Sequence, residues 1–202
     1  MVSPFTCRRL YNKQGKYAEA ISWYERALKI FEPEFGVDHI NSANTVMGIG
    51  NGYSSQGKYA EAISWYERAL KIFEREFGVD HINSADTINN IAVVYDSQGK
   101  YAEAISWYER ALKIKEREFG VDHVNSASTL YNIGLVYKDM ADWISAKSYF
   151  ERAARLDKQC RGAGHEFTLA SERELTNAIN ALNNSSRSTT KTKWWKLGNR
   201  RK

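Results

Sequence analysis

Residues 56–85 read QGKYAEAISWYERALKIFEREFGVDHINSA, and this stretch decides the fold because the chain contains it three times. Residues 14–43 differ from it at one position of 30, with Pro33 in place of Arg75. Residues 98–127 differ at two, Lys115 for Phe73 and Val124 for Ile82. The copies begin 42 residues apart. A fixed period of this size signals a solenoid, in which each unit buries its apolar face only against its neighbours. A binding scaffold is therefore the leading expectation.

The copy at residues 83–119 shows how one unit is built. Asn83 or Ser84 reads as an N-cap, and Asp86 falls in a first turn where the helix dipole favours an acid. Ile88, Ile91, Val94 and Tyr95 recur at helical spacing, and Gly99 suits the left-handed residue that ends a helix. A second helix is expected from about Tyr101 to Phe119. Its main stripe is Tyr101, Ala104, Ile105, Tyr108, Ala111 and Leu112, and Trp107 and Ile114 lean onto another flank. Apolar residues on two flanks require more than one neighbour. Gly120 closes this helix, and VDHVN links it to the next.

The order of small and large residues resembles the tetratricopeptide repeat (TPR). Ala92, Tyr95, Gly99, Tyr101, Ala104, Tyr108 and Ala111 fall at the family's positions. So do Gly50, Tyr53, Gly57, Tyr59, Ala62, Tyr66 and Ala69 in one neighbouring unit, and Gly134, Tyr137, Ala141, Trp143, Ala146, Phe150 and Ala153 in the other. The usual period is 34 residues, and the extra length falls in the second helix and its exit loop. That long form is similar to the kinesin light chain type of TPR; related units occur in NACHT-type immune receptors. The resemblance implies an all-α fold, a right-handed superhelical solenoid of antiparallel helix pairs whose first helices line a concave groove. Two features depart from the pattern. Ile40, Ile82 and Val124 stand where the family has Pro after the loop His, and no heptad coiled coil is present.

Four segments are expected: a degenerate part-repeat at 1–13, the array at 14–164, a capping helix at 165–184 and a disordered basic tail at 185–202. The part-repeat keeps Leu10 and Tyr11 but is interrupted by Pro4, Arg8 and Arg9. Helix 17–35 is thus expected to expose aromatic surface, unless further repeats precede it or two chains meet there as a weak homo-oligomer. The capping helix is read over about 168–182. The tail holds seven basic side chains and no acid, within a chain of net charge +5. The remaining 22 basic and 24 acidic groups leave the rest at −2. A basic nucleic-acid surface on the body is not supported. With Trp194 and Trp195, the tail suits an anionic membrane or nucleic acid, although a solubilising extension is the preferred reading.

No catalytic constellation, cofactor motif or metal set stands out. Cys7 and Cys160 lack a neighbouring His or basic motif. His39, His81, His123 and His165 are 42 residues apart, a spacing that diverges rather than converges on a metal, so loop structure is preferred over metal binding or pH sensing. Trp23, Trp65 and Trp107 read as helix packing rather than a base-stacking ladder.

Variation inside the chain points to a binding wall. Residues 56–85 and 98–127 match at 28 of 30 positions, whereas 44–55 and 86–97 match at four of 12. The varying first-helix positions include Met47, Gly48, Asn51 and Ser54, then Asn89, Asn90, Val93 and Asp96, then Tyr131, Asn132, Leu135 and Lys138. The expected partner-binding residues are Met47, Asn51, Asn89, Asn90, Val93, Asp96, Tyr131, Asn132, Leu135 and Lys138. Lys138 is the only cation among the three first helices, which disfavours a carboxylate clamp. Asn side chains both donate and accept, as the backbone of an extended peptide requires. The expectation is a cytoplasmic, non-enzymatic adaptor for a protein or linear peptide. Its alternatives are a kinesin light chain-like motor-cargo adaptor, a polyanion binder acting through the tail, and a fragment of a larger NACHT-type protein.

Overall fold

A computed structural model of the chain describes the backbone of residues 17–198 and the side chains of residues 17–185. The apolar stripes of each copy become paired helices: α1 (Tyr17–Phe35), α2 (Ile40–Ser55), α3 (Tyr59–Phe77), α4 (Ala85–Ser97), α5 (Tyr101–Phe119), α6 (Ala127–Asp139), α7 (Trp143–Arg161) and α8 (Glu166–Gly198). Short 3-10 turns at Ile82–Ser84 and Val124–Ser126 lead into α4 and α6. The second helix expected at 101–119 has those bounds. Gly57 and Gly99 carry φ of 74° and 72°, the left-handed region that turns the first helix into the second. In the last copy Ala141 takes that role with φ 59°, a conformation that a side chain disfavours.

The start of the first helix departs from the sequence reading. Ser84 has helical φ and ψ and makes no capping bond through its side chain. The cap is His81, whose Nδ1 accepts the Asn83 N–H at 3.2 Å. The imidazole reaches further than a hydroxyl, so the cap moves back to the loop and a 3-10 turn fills the gap.

The chain divides into two compact units, Met1–Glu118 and Phe119–Lys202. In the first, α2 meets α1 and α3 around Ile21, Leu28, Val46, Ile49, Ile72 and Phe73. A second cluster joins Tyr66 and Leu70 of α3 to Ile88, Ile91 and Val94 of α4, and to Ala111 and Ile114 of α5. The small residue in the middle of the first helix lets the pair close. A Cβ built on Gly50 would lie 2.7 Å from the Tyr66 ring, inside any normal contact. In the second unit Gly134 of α6 stands in the same relation to Phe150 of α7, again at 2.7 Å. Ala146, Phe150 and Ala178 form the core there, and Leu175 of α8 packs against it. Burying one such side chain contributes about 1.5–3 kcal/mol.

The position occupied by Phe73 in one copy becomes Lys115 and then Asp157, and both charged residues are buried, at 7% and 3% exposure. Lys115 reaches outward to Asp86 at 3.3 Å. Asp157 lies between α7 and α8, where its Oδ2 accepts from Ser171 at 3.4 Å.

The C-terminal end also differs. The cap expected near 168–182 is a single helix that continues to Gly198, through residues read as a disordered tail. No Pro or Gly interrupts residues 166–197, and a helix already nucleated by packing extends at little cost until a breaker is met. α7 ends at Arg161 and is closed by Gly162, φ 87°. The part-repeat at 1–13 lies outside the described residues.

Candidate functional site

The proposed wall consists of the first helices of the repeats, and the structure sorts its residues by what each touches. In the first unit α2 and α4 lie side by side. Thr87 Oγ1 of α4 donates to the Met47 sulfur at 3.4 Å. Asn51 Oδ1 accepts twice, from the Tyr66 hydroxyl at 2.6 Å and from Asn90 Nδ2 at 3.3 Å. Asn51 therefore ties its own repeat to the next. Burial pushes the Tyr66 hydroxyl far above the usual tyrosine range, with Ser54 opposing the shift, so it remains a proton donor to Asn51. Asn89, Asn90, Val93 and Asp96 are half-buried along α4. Of these Val93 offers an apolar edge and Asn90 an amide oxygen that the bond to Asn51 leaves unused.

In the second unit the expected residues are more occupied. The Tyr131 ring is tilted against Phe150 at 5.6 Å, and Tyr131 and Leu135 both pack on the core beside Leu175. Asn132 is buried, with 7% exposure, rather than facing solvent. Lys138 Nζ lies 3.0 Å from Glu174 Oε2 of α8, so its charge is answered within the fold. Burial works against the charge on Glu174, but hydrogen bonds from Lys138 and Asn177 outweigh it and hold the carboxyl below its ordinary range. The helix that caps the array thus supplies both an apolar and an acidic neighbour to this part of the wall. That correction was invisible in the sequence, because Glu174 is one of many acids at helical spacing.

Outside the wall, Trp65 and Trp107 behave as packing residues with an added partner, whereas Trp23, also read as packing, is 65% exposed. Trp65 and Trp107 are half-buried, and Arg68 and Arg110 lie over them at 5.5 Å. Arg68 also bonds Glu32 and Asp38 of the preceding repeat, each at 2.6 Å. Arg110 does the same with Glu74 and Asp80. Sequence reasoning passed over this arginine; its signal was identity at the same place in successive copies. Cys160 is an exposed free thiol. Among the described residues, no three His, Cys, Asp or Glu side chains gather into a metal site, and no helix is long and apolar enough to cross a membrane.

Known proteins agree with this architecture. The tetratricopeptide repeat model matches residues 9–75, 42–117 and 84–159. BtubC (BKLC) from P. vanneervenii superposes with a TM-score of 0.74 at 22% identity, over 92% of this chain and 74% of that one. The nearly identical TPR-like repeats of a Podosopora anserina protein assigned as a kinesin light chain give 0.70 at 18%, over 91% and 87%. The apo form of RapI gives 0.71 at 19%, over 91% of this chain and 64% of that chain. Identities this low establish the shared fold alone. No curated protein matches the sequence.

Proposed function

Because this chain belongs to the tetratricopeptide repeat family, we propose that it is a non-enzymatic scaffold that binds an extended peptide or protein segment along the first-helix wall. The observation that carries this reading is the contrast within the chain: the second helix and its exit loop are copied at 28 of 30 positions while the first-helix segment changes at eight of 12. Four of the eight differing positions in α2, Val46, Gly48, Gly50 and Gly52, are buried, so the reading rests on the other four, Asn44, Met47, Asn51 and Ser54, which are exposed or half-buried. In the first unit, Asn90, Val93 and Asp96 combine polar and apolar contact, which suits a backbone amide beside a small side chain. Asn51 and Asn132 serve the fold more than the partner. In the second unit Tyr131 and Leu135 offer apolar edges, and Lys138 with Glu174 offers a paired charge rather than a lone cation.

A narrower form is a cytoplasmic adaptor of kinesin light chain type, favoured by the long second helix and exit loop shared with that kind of repeat. No cofactor is needed for either form.

Partner capture followed by calorimetry tests the wall. Asn90→Ala combined with Val93→Ala should weaken binding at least about tenfold, since each removed contact contributes around 1 kcal/mol. Exchanging Glu67 and Lys71, exposed on the second helix, should leave affinity unchanged. The opposite pattern would place the partner on the outer face and remove this proposal.

A further inference from the structure

The second helix of the repeat occurs in three near-identical copies, and one stripe of it is covered in two of them and open in the other. Ala62, Tyr66, Ala69 and Ile72 of α3 are buried, as are Ala104, Tyr108, Ala111 and Ile114 of α5. The same residues of α1, Ala20, Tyr24, Ala27 and Ile30, are half-buried or exposed. The tyrosine is 39% exposed in α1, 2% in α3 and 1% in α5. In α3 the cover comes from the first helix of the same unit. Tyr66 closes on Gly50 of α2, and Ala69 and Ile72 share a cluster with Val46 and Ile49. α4 brings Ile88, Ile91 and Ala92 to the same places, and α6 brings Leu130, Ile133 and Gly134. The covering helix therefore has a defined chemistry: two aliphatic residues three apart, then a small one where the helices cross. In the unit of α1 the corresponding residues are Pro4, Cys7 and Arg8. A Cβ on Gly50 would already lie 2.7 Å from the Tyr66 ring, and nothing larger than Ala92 stands at that place in the other copies. An arginine is too large for the same approach to Tyr24, and a proline inside a helix removes a backbone bond.

We propose that the open stripe of α1 is a docking site for an amphipathic helix of another protein, one that carries two aliphatic residues three positions apart with Gly or Ala directly after the second. Such a helix lies on α1 as α2 lies on α3 and as α6 lies on α7, so the site continues an interface that the chain already makes. The small residue lets the incoming backbone close on Tyr24, and the aliphatic pair covers Ala27 and Ile30. Recognition is apolar, because residues 40–55, which do this work for α3, include no charged side chain. Binding is accordingly insensitive to salt, unlike attachment through a basic segment. The site is separate from the first-helix wall and does not depend on it.

The probe is a synthetic peptide of residues 83–100, which contains α4. Calorimetry of the full chain with this peptide should show saturable, one-to-one binding. The peptide carrying Ala92→Arg, which reproduces the residue type of Arg8, should bind at least about tenfold more weakly, because overpacking the crossing point is costly. Ile30→Lys in the chain should weaken binding to a similar extent, whereas Asn90→Ala combined with Val93→Ala should leave it unchanged. A peptide too short to hold its helix is replaced by a test in cis. A chain whose residues 1–13 are exchanged for a copy of residues 85–97 should gain amide protection at residues 20–30 and a higher melting midpoint, and should no longer take up the peptide. Binding that survives Ala92→Arg or Ile30→Lys would overturn the proposal, as would an exchanged chain with no gain in protection. Native protection at residues 20–30 equal to that at 62–72 would also overturn it, by showing that residues 1–13 cover the stripe. A dimer that Ile30→Lys dissolves and the peptide leaves intact would do the same, by making a second copy the occupant.

Discussion

Arg110 Nε donates to Asp80 Oδ1 at 2.6 Å, and Asp80 holds a φ of 59°. Arg68 and Asp38 repeat the relationship one unit earlier, at 2.6 Å with φ 62°. One side chain thus secures a loop residue in a backbone region that L-residues avoid, while its guanidinium also bonds Glu74 and covers Trp107. Burial works against the charge of Arg110, but its bonds to Asp80 and Glu74 outweigh that and keep it fully protonated.

Arg110→Ala is expected to destabilise the protein by about 1–2 kcal/mol, a charged hydrogen bond discounted for partial exposure. Arg110→Lys should recover only part of this, because an ammonium cannot span both carboxylates. Urea denaturation measures both, and an unchanged midpoint in Arg110→Ala would show the clamp to be ornamental.

Ile30 and Ile72 occupy the same place in successive copies, yet Ile30 is 66% exposed and Ile72 1%. Ile72→Ala should therefore cost about 2–5 kcal/mol, whereas Ile30→Ala should stay within about 0.5 kcal/mol. Trp23 on the same helix is 65% exposed, so Ile30→Lys should also reduce any self-association seen by sedimentation across a concentration series. Similar losses at both positions would mean that α1 is covered as well as α3.

Gly50→Val and Gly134→Val should each destabilise by about 1–3 kcal/mol, because the added methyls meet Tyr66 and Phe150. Gly50→Ala should cost less, since Ala92 fills the same place in the next copy and is fully buried there. Thermal melts of the three variants give the order directly. A Val as stable as the native Gly would show that the helix pairs have slack.

Asp157 is expected to weaken the fold at neutral pH. Burial raises its carboxyl above the ordinary range, and Arg161, Ser171 and His165 only partly compensate. Its Oδ1 is 3.1 Å from Arg161 yet lacks an aligned hydrogen bond. A folded value above the unfolded one means that the ionised form is disfavoured in the fold. Stability is then gained as pH falls through the folded value and lost as pH rises through it. Asp157→Asn should accordingly raise the neutral melting midpoint, with the advantage vanishing in acid. A lower midpoint at neutral pH would identify the charge as a net contributor to docking α8.

The helix pairs, the glycine turns and the second helix at 101–119 were legible in the sequence because they depend on signals within a few residues: spacing of apolar side chains, Gly99, and the absence of breakers. The threefold copy extended that legibility to the family, since similar units must bury similar faces on one another. Other properties depended on neighbours distant in sequence. Asn132 reads as an exposed amide and is buried; Lys138 reads as a free cation and is paired with Glu174, 36 positions away. His81 reads as part of a loop and caps the 3-10 turn that leads into α4, because stacking on Phe77 decides where its nitrogen points. Sequence determined which segments become helices, through local backbone preference and periodicity. Tertiary structure alone decided which wall residues meet solvent, because exposure and charge pairing are set by whatever packs alongside.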